Sequence, residues 1–242
     1  MNEVLLIGLI TLVAFAYALV GHGGASGYIA LLTLAGLSIL VVRPSALVLN
    51  ICVSALAFVQ FARAGHFRWK LFWPFALLAV PCAWLGSRVD LEPIVYQRLL
   101  ALCLLVAVAR LFGLFGSGEG QRREVPVALA IGIGAVLGLI AGVIGIGGGI
   151  LLSPLLLLFR WADAKTTAAT SALFILVNSL AGLAGLWSGG ATLDPHMLTW
   201  VGVALLGGLA GSWLGAQRVP EPRLRQALGV VLVFASVKLF FP

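Results

Sequence analysis

The chain has 242 residues, of which 62% are hydrophobic and only 10% are charged, and its net charge is +7 at pH 7. About a quarter of the residues of a soluble domain are charged, so this composition excludes an ordinary soluble protein. A transmembrane β-barrel is excluded as well, because its strands would alternate polar and apolar residues. The long charge-free runs instead predict an all-α polytopic membrane protein.

Ten apolar segments, five in each half of the chain, are predicted to be helices. They are residues 4–20, 28–42, 45–62, 71–87, 95–112, 126–144, 149–159, 166–187, 197–216 and 225–241. The second segment of each half is short. The 11 residues of 149–159 rise only about 17 Å as a helix, against a hydrocarbon core of about 30 Å. We therefore predict that this segment crosses partway or forms a re-entrant hairpin with the segment before it.

The two halves of the chain resemble each other in sequence. The motif Trp-Leu-Gly at residues 84–86 recurs at 213–215, and Gly-His-Gly-Gly at 21–24 corresponds to Gly-Ile-Gly-Gly at 145–148. The matches are collinear, with an offset near 124 to 130 residues, which indicates an internal repeat. We predict one integrated membrane domain made of a first repeat, a glycine- and charge-containing linker and a second repeat, at residues 1–112, 113–124 and 125–242.

The basic residues favour opposite orientations of the two repeats. An odd number of crossings per repeat, five or three, places 11 of the 15 Lys and Arg residues on one side, whereas four crossings split them seven to eight. Loop 63–70 carries three basic residues and its partner loop 188–196 carries none. Because basic loops stay on the cytoplasmic side, we predict inverted repeats with both termini outside.

Two glycine-rich breaks, residues 21–27 and 145–149, interrupt otherwise helical apolar sequence. Inverted repeats with interrupted helices are typical of secondary transporters, whose substrate site lies near the membrane midplane. The interiors of the predicted spans carry no formal charge, so an anion would rely on backbone N–H groups at helix N-termini, which carry about half a positive charge. Glycine also lets the backbone approach a ligand closely.

The predicted substrate-binding residues are the glycines of the breaks and the polar residues around them. They are Gly21, His22, Gly23, Gly24, Ser26, Asn50, Gly145, Gly147, Gly148, Gly149, Ser153, Thr170, Ser171 and Asn178. The hydroxyl and amide side chains could equally make interhelical hydrogen bonds. His22, the titratable side chain in a break, could bind or relay a proton or be purely structural.

Several other features are interpreted as structural. Three glycines spaced by four, Gly134, Gly138 and Gly142, are predicted to allow close helix packing. Arg43 could attract anions at the mouth of the site, but we favour a lipid headgroup anchor. The three cysteines lie in apolar segments without metal-like spacing and are predicted to be buried free thiols, so no metal or cofactor is expected: Cys52, Cys82 and Cys103.

The sequence GLIAGVIGIGGGILLSPLLLLF at residues 138–159, followed by AATSALFILVNSLAG at 168–182, resembles the sulfite exporter TauE/SafE family. The hallmark of that family is a glycine run followed by proline, a short helix and an Ala-Thr-Ser segment in each half. The resemblance covers essentially the whole chain, but the first half departs from the pattern at His22 and at Ala30, where the proline would fall. It implies a multi-pass transporter of the bacterial inner membrane for sulfite or organosulfonate-type anions.

We therefore expect a secondary transporter that exports a small sulfur oxyanion. Two alternatives stay open: a passive, channel-like anion pore, and a non-transporting membrane scaffold or assembly factor. An enzyme is not expected, because the sequence has no HExxH, no GxSxG with partners, no Walker motif and no carboxylate pair inside a span. The expected partners are the anion and the lipid bilayer, with a homodimer left open and no nucleic acid, since the basic residues are scattered over short loops.

Overall fold

A computed structural model describes residues 2–89 and 123–220, together with single positions between 92 and 98 and between 223 and 233. This part of the chain forms eight α-helices and no strand, and a π-helical turn, Leu214–Arg218, continues the last helix. The helices are α1 Glu3–Leu19, α2 Ala25–Leu34, α3 Ile39–Arg63, α4 Trp69–Ser87, α5 Val127–Ile144, α6 Gly149–Leu158, α7 Ala164–Trp187 and α8 Met197–Trp213. Apart from those single positions, the predicted helices at 95–112 and 225–241 lie outside the described residues, as does most of the predicted linker.

Helix length separates full spans from short segments. Five described helices are long and apolar enough to cross a membrane, namely α3, α4, α5, α7 and α8 with its π-helical turn. Helix α1 has 17 residues, and α2 and α6 have 10 residues each. A helix of that shorter length rises about 15 Å, half of the hydrocarbon core. The predicted all-α polytopic membrane protein, with one short segment in each half, is confirmed.

The boundary between the second and third predicted segments was wrong. The prediction ended the second segment at residue 42, before Pro44, whereas α2 ends at Leu34 and α3 already begins at Ile39. Gly36 has a φ of +87° and turns the chain out of α2, and Ser38 in an extended conformation precedes α3. Pro44 is then accommodated inside α3, because proline is tolerated in membrane helices more readily than in soluble ones.

The centre of the bundle is an antiparallel pair of helices, α3 and α7. Asn50 contacts Ser179, and Leu47 lies against Gly182. Residue numbers therefore increase along α3 as they decrease along α7, so the two helices are antiparallel. These are the third helices of their respective halves. Corresponding helices therefore run in opposite directions, which is the arrangement of inverted repeats.

Two parallel pairs flank this centre, and in each the first helix of one half packs against the fourth helix of the other. On α5, three glycines lie directly against the backbone carbonyls of α4; they are Gly134, Gly138 and Gly142, opposite Phe75, Ala79 and Ala83. On α8 and its π-helical turn, three more lie against α1; they are Gly207, Gly211 and Gly215, opposite Thr11, Phe15 and Leu19. The predicted packing role of the first three glycines is confirmed, since a Cβ at any of them would collide with the neighbouring backbone.

Helix α3 also runs parallel to α8. Val53 lies against Gly208, and Phe61 lies against Gly215. The C-terminal ends of α3 and α8 are therefore at the same end of the bundle. The C-terminal end of α7 is at the opposite end, because α7 is antiparallel to α3.

Candidate substrate site between the two helix breaks

Both helix breaks are short turns built on left-handed glycines and buried inside the bundle. The first separates α1 from α2 and has positive φ at Gly21 (77°) and Gly24 (99°). The second separates α5 from α6 and has positive φ at Gly145 (80°), Gly147 (72°) and Gly148 (74°). Only glycine adopts this conformation without strain. Residues 20–26 and 141–154 are all buried, so both breaks lie in the interior.

The predicted positions of the breaks agree closely with the structure. The short helix α6 begins at Gly149, as expected from the glycine run. The first break is shorter than the predicted range 21–27, because α2 already begins at Ala25. Positions 25–27 are helical and contact the neighbouring helices: Ala25 and Ser26 are hydrogen-bonded to α3 and α1, and Gly27 lies directly against Val13 of α1.

Asn50 of α3 joins the two breaks. Its Oδ1 accepts a hydrogen bond from the backbone N–H of Ala25, at the start of α2 (3.1 Å). Its Nδ2 donates to the carbonyl of Ile146 in the second break (3.3 Å) and to Ser179 Oγ on α7 (2.8 Å). One side chain thus connects a helix start, a helix break and the antiparallel helix of the other repeat.

The glycines around Asn50 are required by close approach, and Gly21 and Gly147 also have positive φ. A Cβ at Gly23 would collide with the Asn50 side chain, and one at Gly147 would lie 2.7 Å from Asn50 Nδ2. At Gly21 the colliding group would be the backbone of Ala168, at the start of α7. The breaks therefore pack against the centre of the bundle with no room for a side chain.

A second polar connection crosses the site through His22. The ring nitrogen Nε2 lies 2.8 Å from Ser153 Oγ on α6, and Ser153 Oγ donates to Ser171 Oγ on α7 (2.7 Å). His22 is 1% exposed, Ser153 is 1% exposed and Ser171 is fully buried. The predicted candidates His22, Ser153 and Ser171 thus form one chain from the first repeat into the second.

A small cavity lies between these connections. Its polar lining comes from Tyr17, His22, Ser26 and Asn50, and its apolar lining from isoleucines of the second repeat, such as Ile146. Tyr17 OH and Ser26 Oγ are hydrogen-bonded to each other (2.9 Å). The free space is about that of a single water molecule, so this conformation is closed around the site.

Two predicted candidates are directed elsewhere. Thr170 Oγ1 donates to the carbonyl of Thr166 (2.8 Å), and Asn178 Nδ2 donates to the carbonyl of Phe174 (2.8 Å), both within α7. Neither residue lines the cavity. The structure therefore brings most of the predicted residues together around the breaks but leaves these two as hydrogen-bonded residues of their own helix.

The side chain of Arg43 lies elsewhere than we expected for a lipid headgroup anchor. Its side chain is half-buried, and its guanidinium donates to the carbonyl of Val143 (3.0 Å), in the last turn of α5. A cation stabilises the partial negative charge at a helix C-terminus. The guanidinium also lies beside Gly145, so Arg43 places a positive charge at the edge of the second break. The sequence could not show this, because Val143 is 100 residues away along the chain.

Two residues of the site were missed in the sequence. Ser179 follows Ser171 by eight residues, about two helical turns, so a search for polar residues on one face of α7 would have found it. Tyr17 precedes the first break and carries no signal that distinguishes it from a core tyrosine. Its hydroxyl reaches the cavity only because α1 and α2 fold back on each other.

The described residues include no group of three His, Cys, Asp or Glu side chains that could hold a metal ion. Cys52 and Cys82 are free thiols, half-buried rather than fully buried as predicted, because each faces partly outward from its helix. Cys103 lies outside the described residues.

Comparison with known proteins agrees with this architecture. The family model described as "Sulfite exporter TauE/SafE" matches residues 5–239. The "Probable membrane transporter protein y4hK" of Sinorhizobium fredii is 36% identical over 239 residues, which covers 95% of this chain and 94% of that protein. No solved structure matches the chain.

Proposed function

Since the chain belongs to the sulfite exporter TauE/SafE family and is a multi-pass membrane transporter, we propose that it carries a small sulfur oxyanion. The proposed cargo is sulfite or an organosulfonate, exported across the bacterial inner membrane by a carrier without catalytic activity. The observation that carries this proposal is the pair of buried helix breaks, joined by Asn50, that border a small cavity with polar and apolar lining.

The starts of the two short helices support anion binding. Gly24 precedes α2 and Gly148 precedes α6, and neither can cap its helix with a side chain. Residues 24–26 and Ile150, in the first turns of these helices, line the cavity. Backbone N–H groups at a helix N-terminus favour an anion. These N–H groups and the hydroxyl of Ser26 are uncharged donors, which can bind an oxyanion and still release it.

The surroundings fit a carrier better than a permanently open pore. The cavity holds little more than one water molecule, so an anion fits only when the breaks separate. Inverted repeats provide two equivalent ways to open such a site, one towards each side of the membrane. The guanidinium of Arg43 beside Gly145 supplies a positive charge that would attract an anion to the second break.

Transport by the full chain in proteoliposomes tests this proposal. We expect sulfite or an organosulfonate to be taken up, with uptake accelerated by the same anion on the opposite side. We also expect these anions to stabilise the purified protein thermally more than sulfate does. Absence of both flux and thermal stabilisation with sulfite, thiosulfate and sulfoacetate would overturn the proposal. Flux without trans-acceleration would favour the passive pore. A co-purifying partner without any ligand response would favour the scaffold.

Substitution at Gly148 tests whether the geometry of the break matters for transport. Gly148 and Gly36 both have positive φ, 74° and 87°, so alanine at either position carries a similar backbone cost, about 1–2 kcal/mol. At Gly148 a Cβ would also lie 3.0 Å from Ala141 Cβ and 3.1 Å from a ring carbon of Phe174, whereas at Gly36 nothing lies within 4 Å.

We expect Gly148→Ala to reduce sulfite flux about tenfold or more at equal protein in the membrane, since displacing the helix start by a few tenths of an ångström misplaces the donors. Gly36→Ala is the matched control and should transport normally. Equal losses in both variants would show that backbone strain, and not the geometry of the break, limits the flux.

A further inference from the structure

One ring nitrogen of His22, Nδ1, has no role in a site that binds an anion through uncharged donors alone. Its ring is 1% exposed, and Nε2 is hydrogen-bonded to Ser153. Nδ1 has no hydrogen-bond partner of good geometry among the described residues, although the ring also approaches the backbone of Gly149. A buried polar atom without a partner is uncommon and calls for a ligand or a second state of the molecule.

The direction of the hydrogen-bond chain assigns the tautomer of His22. Ser153 Oγ donates its single hydroxyl proton to Ser171 Oγ. Its oxygen can therefore only accept from His22, so Nε2 carries the ring proton and Nδ1 carries the lone pair. The unpartnered atom is thus a base in the lining of the cavity.

We propose that Nδ1 of His22 is a proton-binding site that couples anion transport to proton movement. This inference rests on the proposed function. One proton from the loading side binds the Nδ1 lone pair as a singly charged oxyanion enters the cavity. Both leave on the other side, and His22 returns to its neutral Nε2–H form, so the proton balance closes without any other reactant. Because the pair carries no net charge, a high concentration of the anion inside the cell drives its export.

Proton binding and anion binding favour each other because the two buried charges have opposite signs. A lone imidazolium and a lone oxyanion are each unfavourable in the low-dielectric interior, whereas a contact pair offsets part of that cost. The second repeat has Ile146 at the position that matches His22, so the two breaks together offer one proton site. The proposed stoichiometry is therefore one proton for each anion.

The other ionisable groups near the site do not provide an alternative base. Tyr17 on α1, Tyr28 on α2 and Cys52 on α3 are side chains of types that ordinarily titrate above pH 8, and Arg43 carries a guanidinium, a group that does not act as a base in proteins. Helices α5 and α6 contain no ionisable side chain, and Lys165 of α7 donates to the carbonyl of Ala216. The buried residues of the described part include no Asp or Glu. His22 is therefore the side chain of the site whose type ordinarily changes charge between pH 5 and 8.

The test uses full-length protein in proteoliposomes, with radiolabelled sulfite and with isethionate, a sulfonate that does not titrate between pH 5 and 8. Empty vesicles correct for passive leakage of sulfur dioxide. We expect an imposed pH gradient to drive accumulation of the anion at least about fivefold above the equilibrium level in the wild type. We expect His22→Gln to lose this accumulation, because the amide retains a donor for Ser153 but has no basic nitrogen.

His196→Gln is the matched control, since His196 is an exposed histidine paired with Asp194 and does not line the cavity. It should accumulate the anion as the wild type does. A wild-type protein that carries the anion but ignores the pH gradient would overturn the coupling and leave the proposed function intact. Gradient-driven accumulation that persists in His22→Gln would also overturn the coupling. If the wild type carries neither sulfite nor isethionate, the proposed function and the inference are both wrong.

A binding measurement on the wild type alone covers the case in which the His22 variant does not fold. Calorimetric titration of the purified protein with isethionate in two buffers of different ionisation enthalpy counts the protons taken up with the anion. We expect about one proton per anion near pH 7. Binding without proton uptake would contradict the proposal.

Discussion

At the scale of single residues, Asn50 has the most demanding position in the described structure. It satisfies the first N–H of α2, the carbonyl of Ile146 and the hydroxyl of Ser179 with one amide. Asn178 is also buried, 2% exposed against 1% for Asn50, but it bonds only to a carbonyl of its own helix. Two asparagines of similar burial therefore contribute differently, because one connects three segments and the other connects none.

Truncation of the two asparagines measures this difference. Asn50→Ala leaves buried polar groups of Ala25 and Ile146 without partners, and each such group costs about 1–3 kcal/mol. We expect the free energy of unfolding in detergent to fall by about 2–4 kcal/mol. Asn178→Ala, the control of equal volume change, should cost about 1 kcal/mol or less. Equal losses would mean that the interhelical bonds of Asn50 add nothing beyond the loss of side-chain volume.

At the scale of helices, glycine stripes determine which pairs pack most closely. The α4–α5 and α1–α8 pairs place glycine directly against a facing backbone carbonyl at successive turns. In lipid there is no hydrophobic drive between helices, so such close van der Waals packing is a main source of association. Each stripe joins the first helix of one repeat to the fourth helix of the other, and thereby holds the two repeats together.

A valine scan on α5 separates packing from helix propensity. Gly138 lies against the carbonyl of Ala79, whereas Gly132 on the same helix has nothing within 4 Å of an added Cβ. We expect Gly138→Val to lower the free energy of unfolding by about 1–3 kcal/mol through overpacking. Gly132→Val should change it by less than about 0.5 kcal/mol. The measurement is equilibrium unfolding in the same detergent, and similar effects at both positions would refute the packing role.

At the scale of the whole molecule, the antiparallel α3–α7 pair and the parallel α3–α8 pair determine which loops share a side. The end of α3 and the end of α8 lie together, since Phe61 meets Gly215, and the end of α7 lies opposite. This agrees with the distribution of charge, because the loop after α3 is basic and the loop after α7 carries no Lys or Arg.

Labelling of single cysteines with an impermeant maleimide tests this arrangement. In a background without Cys52, Cys82 and Cys103, we expect Ala64→Cys and Gln217→Cys to react from the same face of the membrane. Thr192→Cys, after α7, should react from the other face. The positive-inside rule predicts that the first two are cytoplasmic. Reaction of Ala64→Cys and Gln217→Cys from opposite faces would contradict the inverted arrangement.

The sequence by itself determined the helical class, the short second segment of each half, the second break and the packing glycines. These are local properties: hydropathy over about 20 residues indicates a span, and glycine runs and glycine spacing mark breaks and close contacts. The boundary before α3 could not be predicted in this way, because Pro44 usually ends a helix in water and is accommodated here in the bundle. The linker at 113–124 and the segments at 95–112 and 225–241 remain predictions.

Only the tertiary structure decided which polar groups meet. His22 and Ser153 are 131 residues apart, and Asn50 and Ile146 are 96 residues apart, so no local pattern relates them. Arg43 met the end of α5, and Thr170 and Asn178 turned to their own helix. The reason is that local sequence sets where a helix starts and stops, whereas the partner of a buried hydrogen-bonding group depends on how the two repeats interlock.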